Sequence, residues 1–272
     1  LTDQGAYAGG PEAAPVPEGV AEAAGRARLG AHVAAYGGRQ DPSGMGCMTI
    51  LAILLGVVAL VLLVAGMAGG ALVLAVLAGL SLLGRSWERA GSRRNASLRL
   101  DLYRDGCVVS SDGRLSVVRY DATSVWQNNV RHTGAFGHTD YEYTLLDVDG
   151  AKVVLRGRSD RTVTRGVLEG FDAWGKAIQL AVTDAQLPRA VAAVQAGERL
   201  DFGHLWMSAE RIGSQKESLS WQEIQAVEVV NGYLKIQVTG RWRTLSNRSV
   251  AVVPNLFVFL TLADRLLRTA RR

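Results

Sequence analysis

The sequence predicts an α+β membrane protein: a two-helix transmembrane hairpin, then two tandem units of antiparallel strands, each closed by a C-terminal α-helix. Three observations carry that prediction. Residues 47–84 hold no charged side chain and are mostly aliphatic, more continuous apolar length than the core of a soluble domain uses. After residue 95, short runs alternate apolar and polar residues at period two, the pattern of half-buried strands. The period then switches to 3.6 twice, over about 164–183 and again after Pro254, each time following a set of strands.

As one straight helix, residues 47–84 would extend about 57 Å at 1.5 Å per residue, against roughly 30 Å of hydrocarbon. Two crossings fit better, 48–65 and 71–84, turning at Gly66-Met67-Ala68-Gly69-Gly70. Arg26, Arg28 and Arg39 precede the run and Arg85, Arg89, Arg93 and Arg94 follow it, while the turn is uncharged. By the positive-inside rule both flanks are cytoplasmic, which only an even number of crossings allows. The expected location is the cell membrane, multi-pass, with Arg85, Arg89, Arg93 and Arg94 as membrane-flanking basic residues. The alternative is a single span over 48–70 followed by a buried apolar helix.

Residues 1–46 are expected to be a cytoplasmic N-terminal segment, disordered through Pro11, Pro15 and Pro17 and weakly helical over 19–36. The first apolar run starts too far in for a secretory signal peptide. The net charge of +5 is concentrated in the last helix, which carries Arg265, Arg268, Arg271 and Arg272 against Asp264. The body is nearly neutral and offers no footprint for nucleic acid. Two cysteines, Cys47 and Cys107, make no disulfide framework, and both are expected as free thiols in a reducing cytoplasm.

Strands are expected at 98–103, 107–110, 115–120, 124–130, 141–148 and 152–156, with Asp149-Gly150 as a type I′ hairpin turn. Val167, Phe171, Trp174, Ile178 and Ala181 then line one face of a helix over 164–183, and Pro188 opens a second helix that Gly197 closes. From Glu198 the pattern repeats: strands at 200–202, 205–208, 210–213, 218–221, 224–230 and 233–239, with Asn231-Gly232 joining the last two. A further strand is expected at 242–245 or 249–253. Pro254 opens a final helix with Leu256, Phe259, Leu260, Ala263, Leu266 and Leu267 on one face. The expected domains are therefore 1–46, the hairpin 47–87, a first unit 95–197 and a second 198–272.

Two local echoes support a repeat: Tyr120 to Val125 aligns on Trp221 to Ala226 without gaps, and Leu100-Asp101-Leu102 matches Leu200-Asp201-Phe202. Trp221-Gln222-Glu223-Ile224 matches the Trp-x-acid-Ile signature of bacterial PH-like (pleckstrin-homology-like) membrane proteins, which the chain resembles. Tyr120-Asp121-Ala122-Thr123 departs from that signature. More closely, the span from Cys47 is similar to an uncharacterised domain-of-unknown-function family of high-GC bacteria. The residues that carry this are Arg119-Tyr120-Asp121, Leu187-Pro188-Arg189-Ala190, Asp201-Phe202-Gly203 and Val253-Pro254-Asn255-Leu256-Phe257. The resemblance implies two tandem PH-like β-barrels, each closed by its helix, and no established activity.

Of the four histidines, His132 and His138 share the stretch 131–140 with Asp140, a possible metal constellation. Gly134 and Gly137 make this a flexible hairpin tip of about ten residues, and no metal site, cofactor or catalytic residue is expected. The tip offers Arg131, His132, Phe136 and His138 as partner contacts. No phosphate-binding glycine loop or nucleophile elbow occurs in the chain. Arg104 faces Asp105 in the turn where eukaryotic PH domains gather basic residues, which disfavours specific phosphoinositide binding. The expected function is a membrane-anchored, non-enzymatic scaffold that binds a protein partner or self-associates. The alternative is a peripheral sensor of anionic lipid through the basic last helix and the arginines of 85–94, with an enzyme of unknown type a distant third.

Overall fold

The computed structural model describes residues 15–40, 47–66, 72–74, 76–80, 95–134, 137–160, 164–242 and 244–271. Helix α1 (Glu18–Arg26) and strand β1 (His32–Gly37) come first, then α2 (Cys47–Val64). Strands β2 (Arg99–Tyr103), β3 (Gly106–Ser111) and β4 (Arg114–Arg119) follow, then β5 (Val125–His132), β6 (His138–Leu146) and β7 (Lys152–Arg158). Helix α3 is Phe171–Gln195. The second half holds β8 (Leu200–Phe202), β9 (Leu205–Met207), β10 (Arg211–Ser214) and β11 (Ser218–Ser220). It ends with β12 (Ile224–Val230), β13 (Tyr233–Val238), β14 (Ser246–Ser249) and α4 (Leu256–Ala270).

Each half builds one four-stranded and one three-stranded antiparallel sheet. In the first the orders are β1-β2-β3-β4 and β5-β6-β7; in the second they are β11-β10-β9-β8 and β12-β13-β14. Leu100, Leu102, Cys107 and Val118 from one sheet meet Val125, Tyr143, Leu145 and Leu155 from the other over Trp174, Ile178 and Val182 of α3. Leu205, Met207 and Ile212 meet Leu234, Ile236 and Val238 over Phe259, Leu262 and Ala263 of α4 in the same way. The sheets of each half pack face to face but remain separate, so neither half is the closed barrel that the resemblance implied.

The membrane hairpin is also corrected. Among the described residues no helix is long and apolar enough to cross a membrane. Helix α2 has 18 residues, about 27 Å at 1.5 Å per residue, short of the roughly 30 Å hydrocarbon layer. The second arm is described only over 72–74 and 76–80, and Arg85, Arg89, Arg93 and Arg94 lie outside the described residues. A multi-pass cell-membrane location with cytoplasmic ends loses its basis with the hairpin. Ile53, Leu54, Val57, Leu60 and Val61 of α2 are exposed.

The N-terminal stretch expected to be disordered or weakly helical supplies β1. It pairs with β2 in the register Tyr36↔Leu100, and Tyr36 enters the first core. Residues 38–98, α2 among them, are therefore an insertion between the first two strands of a sheet. Its ends are clipped together: Gly38 N–H donates to the Leu98 carbonyl, and the Asn95 amide donates to the carbonyls of Arg39 and Thr164. Gly38 must lack a side chain, since a Cβ there would sit 2.2 Å from the Asn95 carbonyl oxygen. Strand β8, which stands where β1 stands, echoes β2 in sequence instead, so the match of Leu200-Asp201-Phe202 to Leu100-Asp101-Leu102 joins non-equivalent strands.

Turn chemistry explains one further difference. Asn231 and Gly232 both have positive φ, the type I′ requirement, and so do Asp112 and Gly113. At 149–150 only Gly150 does. There the Asp147 carboxylate accepts the N–H groups of Asp149 and Ala151 and shapes a wider loop. Strand β14 falls at Ser246–Ser249, between the two places expected for it.

Helix α3 starts later than expected because residues 167–169 have other backbone partners. Leu168 N–H donates to the Arg156 carbonyl, Glu169 N–H to Gly37, and the Val167 carbonyl accepts from Arg39. The helix then runs through Pro188 without a break. Its first half buries Trp174, Ile178 and Val182 in the first core. Leu187, Ala190 and Val191 of its second half pack against the other core. One helix serves both cores, and that shared burial outweighs the cost of an interior proline, about 3 kcal/mol.

Where α3 passes between the halves, a polar joint forms. Asn255, at φ 49° and ψ 47°, donates its N–H to the Val125 carbonyl and accepts the Val125 N–H on its side-chain oxygen, each at 2.8 Å. Its amide donates to Gln186 Oε1 at 2.9 Å. Gln186 in turn donates to the carbonyls of Tyr120 and Thr123, both at 2.7 Å.

Two stability predictions follow from this packing. Trp174 is fully buried, so Trp174→Ala should cost about 3–5 kcal/mol in chemical denaturation, as a large-to-small core truncation. Asn255→Ala should cost about 1–3 kcal/mol, because it strands the Val125 N–H and one side of Gln186. Asn255→Gly, which suits the left-handed backbone, should recover only the strain part of that loss.

Candidate functional site

The polar end of the β5–β6–β7 sheet gathers most of the reactive side chains that the sequence singled out. Register puts them on one face. His132 stands opposite His138, Val130 opposite Asp140, and Asp140 opposite Arg158. Opposite residues share a face, as do residues two apart on one strand. His132, His138, Asp140 and Arg158 therefore project together, with Asp160 two residues beyond Arg158.

Their contacts are short. His132 Nε2 lies 3.0 Å from Asp140 Oδ2, and His138 Nε2 lies 3.7 Å from Asp140 Oδ1. Arg158 Nε donates to Asp140 Oδ1 at 2.7 Å, and its Nη2 stands 2.7 Å from His138 Nε2. A guanidinium only donates, so this His138 nitrogen accepts and carries a lone pair. Its Nδ1 faces Asp160 Oδ2 at 3.9 Å, while Arg158 Nε is 3.6 Å from Asp160 Oδ1. The two imidazoles stack at 4.4 Å between centroids. Arg39 holds the strand end from behind, donating to the carbonyls of Arg158 and Asp160.

Of this face, His132 and His138 border a cleft of about 510 Å³ that Arg131, Thr133, Gly134 and Ser159 line with them, among others. Burial by itself raises the Asp140 carboxyl. The hydrogen bond and charge of Arg158, with His132 and His138 adding to them, outweigh burial and hold it below its ordinary value. His132, His138 and Asp140 could hold a metal, since their donor atoms all lie within 4.8 Å of one another.

Sequence reading located Arg131, His132 and His138 here but drew the loop too long. Strands β5 and β6 continue to His132 and from His138, which leaves five residues, 133–137, between them. Phe136, expected at the tip, lies outside the described residues. Arg158 and Asp160 were missed, although counting register back from the buried pair Val125↔Leu145 would have found Arg158.

The other reactive groups have structural partners. Asp101, fully buried, accepts two bonds from Arg99 at 2.7 and 2.8 Å and faces His32 Nε2 at 3.1 Å, which ties β1 to β2. His204 Nε2 is 3.1 Å from Ser246 Oγ, and burial followed by the Arg248 charge lowers its pKa. Burial pushes the Cys107 thiol up to about 12, against a weaker pull from Tyr120, so it is no nucleophile at neutral pH.

Against known proteins, the sequence model of DUF6585, described as a family of unknown function, matches residues 17–272. No curated protein and no solved structure matches the chain.

The lowered Asp140 carboxyl gives a pH prediction. Its stabilising contribution is complete above the unfolded value, about 3.8, and is lost as pH falls through the depressed folded value. Asp140→Asn should therefore melt slightly below wild type at neutral pH, and the two melting temperatures should converge in strong acid. The effect is small because the carboxylate is 41% exposed.

Proposed function

The chain belongs to DUF6585, a family of unknown function, and from its geometry we propose a non-enzymatic interaction protein. It holds two linked β units in a fixed relation and presents the polar end of β5–β6–β7 to a protein partner. The observation that carries this reading is that cleft. It has a charged, hydrogen-bonding lining set on paired strands whose far ends are rooted in the first core. Partner-binding side chains commonly sit at loop ends that a rigid scaffold positions.

Two further observations support the reading against its rivals. Arg104 is paired with Asp105 at 3.1 Å, so the β2–β3 turn has little charge left for a phosphoinositide. In α4, Arg268 is paired with Asp264 at 2.9 Å, and Arg271 donates to the Gln225 carbonyl at 2.5 Å. Those bonds weaken the case for the last helix as a grip on anionic lipid. In our reading each half is PH-like, on the strength of its four-plus-three strand order and terminal helix, with two packed sheets where a barrel would close.

A photoreactive benzoylphenylalanine at position 131, in the full chain in its own cells, tests the proposal. It should trap a defined protein, or a second copy, and the same residue at position 152 on the far end of β7 should not. Equal adducts at both positions, or none at 131, would remove the cleft as the contact.

A further inference from the structure

We infer that His132, His138 and Asp140 form a binding site for a divalent first-row transition ion of the zinc class. The inference goes beyond the partner reading and does not depend on it. Two imidazoles and one carboxylate are the donor set that zinc, cobalt and nickel favour, and calcium and magnesium do not.

Geometry carries the proposal. An ion with bonds of about 2.1 Å in tetrahedral array spaces its ligand atoms about 3.4 Å apart. The His132–Asp140 and His138–Asp140 separations, 3.0 and 3.7 Å, bracket that spacing. All three donor groups fall within 4.8 Å of one another, so side-chain rotation alone brings them onto one centre. Register makes the arrangement a property of the sheet, because the histidines are a directly opposed pair and Asp140 is two residues along from one of them. The accepting lone pair on His138 Nε2 already points at a cation, the Arg158 guanidinium.

Arg158 is thus the resident competitor. It bridges Asp140 and His138, the two groups an ion would also bridge. On metal binding it gives up both contacts and moves onto Asp160, already 3.6 Å from its Nε. No electron changes hands; one cation replaces another, and the proton that His132 Nε2 lends to Asp140 moves by way of water to Nδ1, which frees the Nε2 lone pair for the ion. The remaining position opens to the cleft, where water or a side chain of the bound partner completes the shell.

The test is titration of the untagged, metal-free full chain with Co²⁺ and then Zn²⁺. A visible d–d band of tetrahedral intensity should saturate at one equivalent and disappear as Zn²⁺ displaces the cobalt, and Ca²⁺ should give no response. His138→Ala and Asp140→Asn should each weaken binding by at least about tenfold, while His204→Asn leaves it unchanged. Arg158→Gln should tighten binding, because it removes the competing cation. Circular dichroism and thermal melts confirm that each variant is folded; Asp140, being partly exposed, serves if His138→Ala is not. No band in wild type, or undiminished affinity in a folded Asp140→Asn chain, would overturn the site. Weaker binding in Arg158→Gln would overturn the displacement step.

Discussion

The structure depends on one residue's backbone conformation. Asn255 sits in the left-handed region, which asparagine tolerates better than most residues. That conformation turns its N–H and its side-chain oxygen toward the same residue, Val125, at the start of β5. The second half is thereby bonded to the strand that opens the second sheet of the first half. Gln186 extends the joint to Tyr120 and Thr123, and Arg189 adds a bond to the Asp121 carbonyl at 2.7 Å. Buried polar groups are expensive unless fully paired. Here Asn255 finds its partners, Val125 and Gln186, in the opposite half, and Gln186 is satisfied in turn by carbonyls of its own half.

This joint accounts for residues that were otherwise only family markers. Arg119-Tyr120-Asp121, Leu187-Pro188-Arg189-Ala190 and Val253-Pro254-Asn255 are far apart in sequence, yet all meet where α3 crosses from one core to the other. Arg119 and Asp121 pair at 2.8 Å beside the carbonyl that Arg189 reaches. Tyr120 is buried and hands its carbonyl to Gln186. The motifs record how the two halves are held together, and no chemistry is needed to explain them.

What the sequence made legible was whatever depends on local period and turn residues. Strands β2 to β7 and β8 to β13 announced themselves by alternation, and α4 by its apolar face. Asn231-Gly232 was decisive because only a few residue pairs accept positive φ twice. Strand β1 was not legible: His32-Val33-Ala34-Ala35-Tyr36-Gly37 has small residues and no clean alternation, and its partner β2 lies beyond an insertion of some sixty residues. Nor was the continuity of α3, since Pro188 carries a strong local stop signal. The burial that overrides it comes from a core assembled later in the chain. The membrane reading failed differently: α2 stands where the first crossing was expected, yet among the described residues no helix is long and apolar enough to cross a membrane.

The register of the candidate site, and Arg158 and Asp160 with it, escaped sequence reading for a reason that also makes the site usable. A strand face of His132, His138, Asp140 and Arg158 has no apolar alternation, so hydrophobic pattern cannot fix its register. The register is set at the opposite end of the same strands, where Val125 and Leu145 are buried against each other and Tyr143 packs edge-on to Trp174 at 5.4 Å. The polar side chains borrow their precision from that core. Arg39 adds a second anchor by binding the carbonyls of Arg158 and Asp160 from the chain that leads into the insertion. A constellation held in this way needs no apolar residue of its own, which leaves its whole face free for charge.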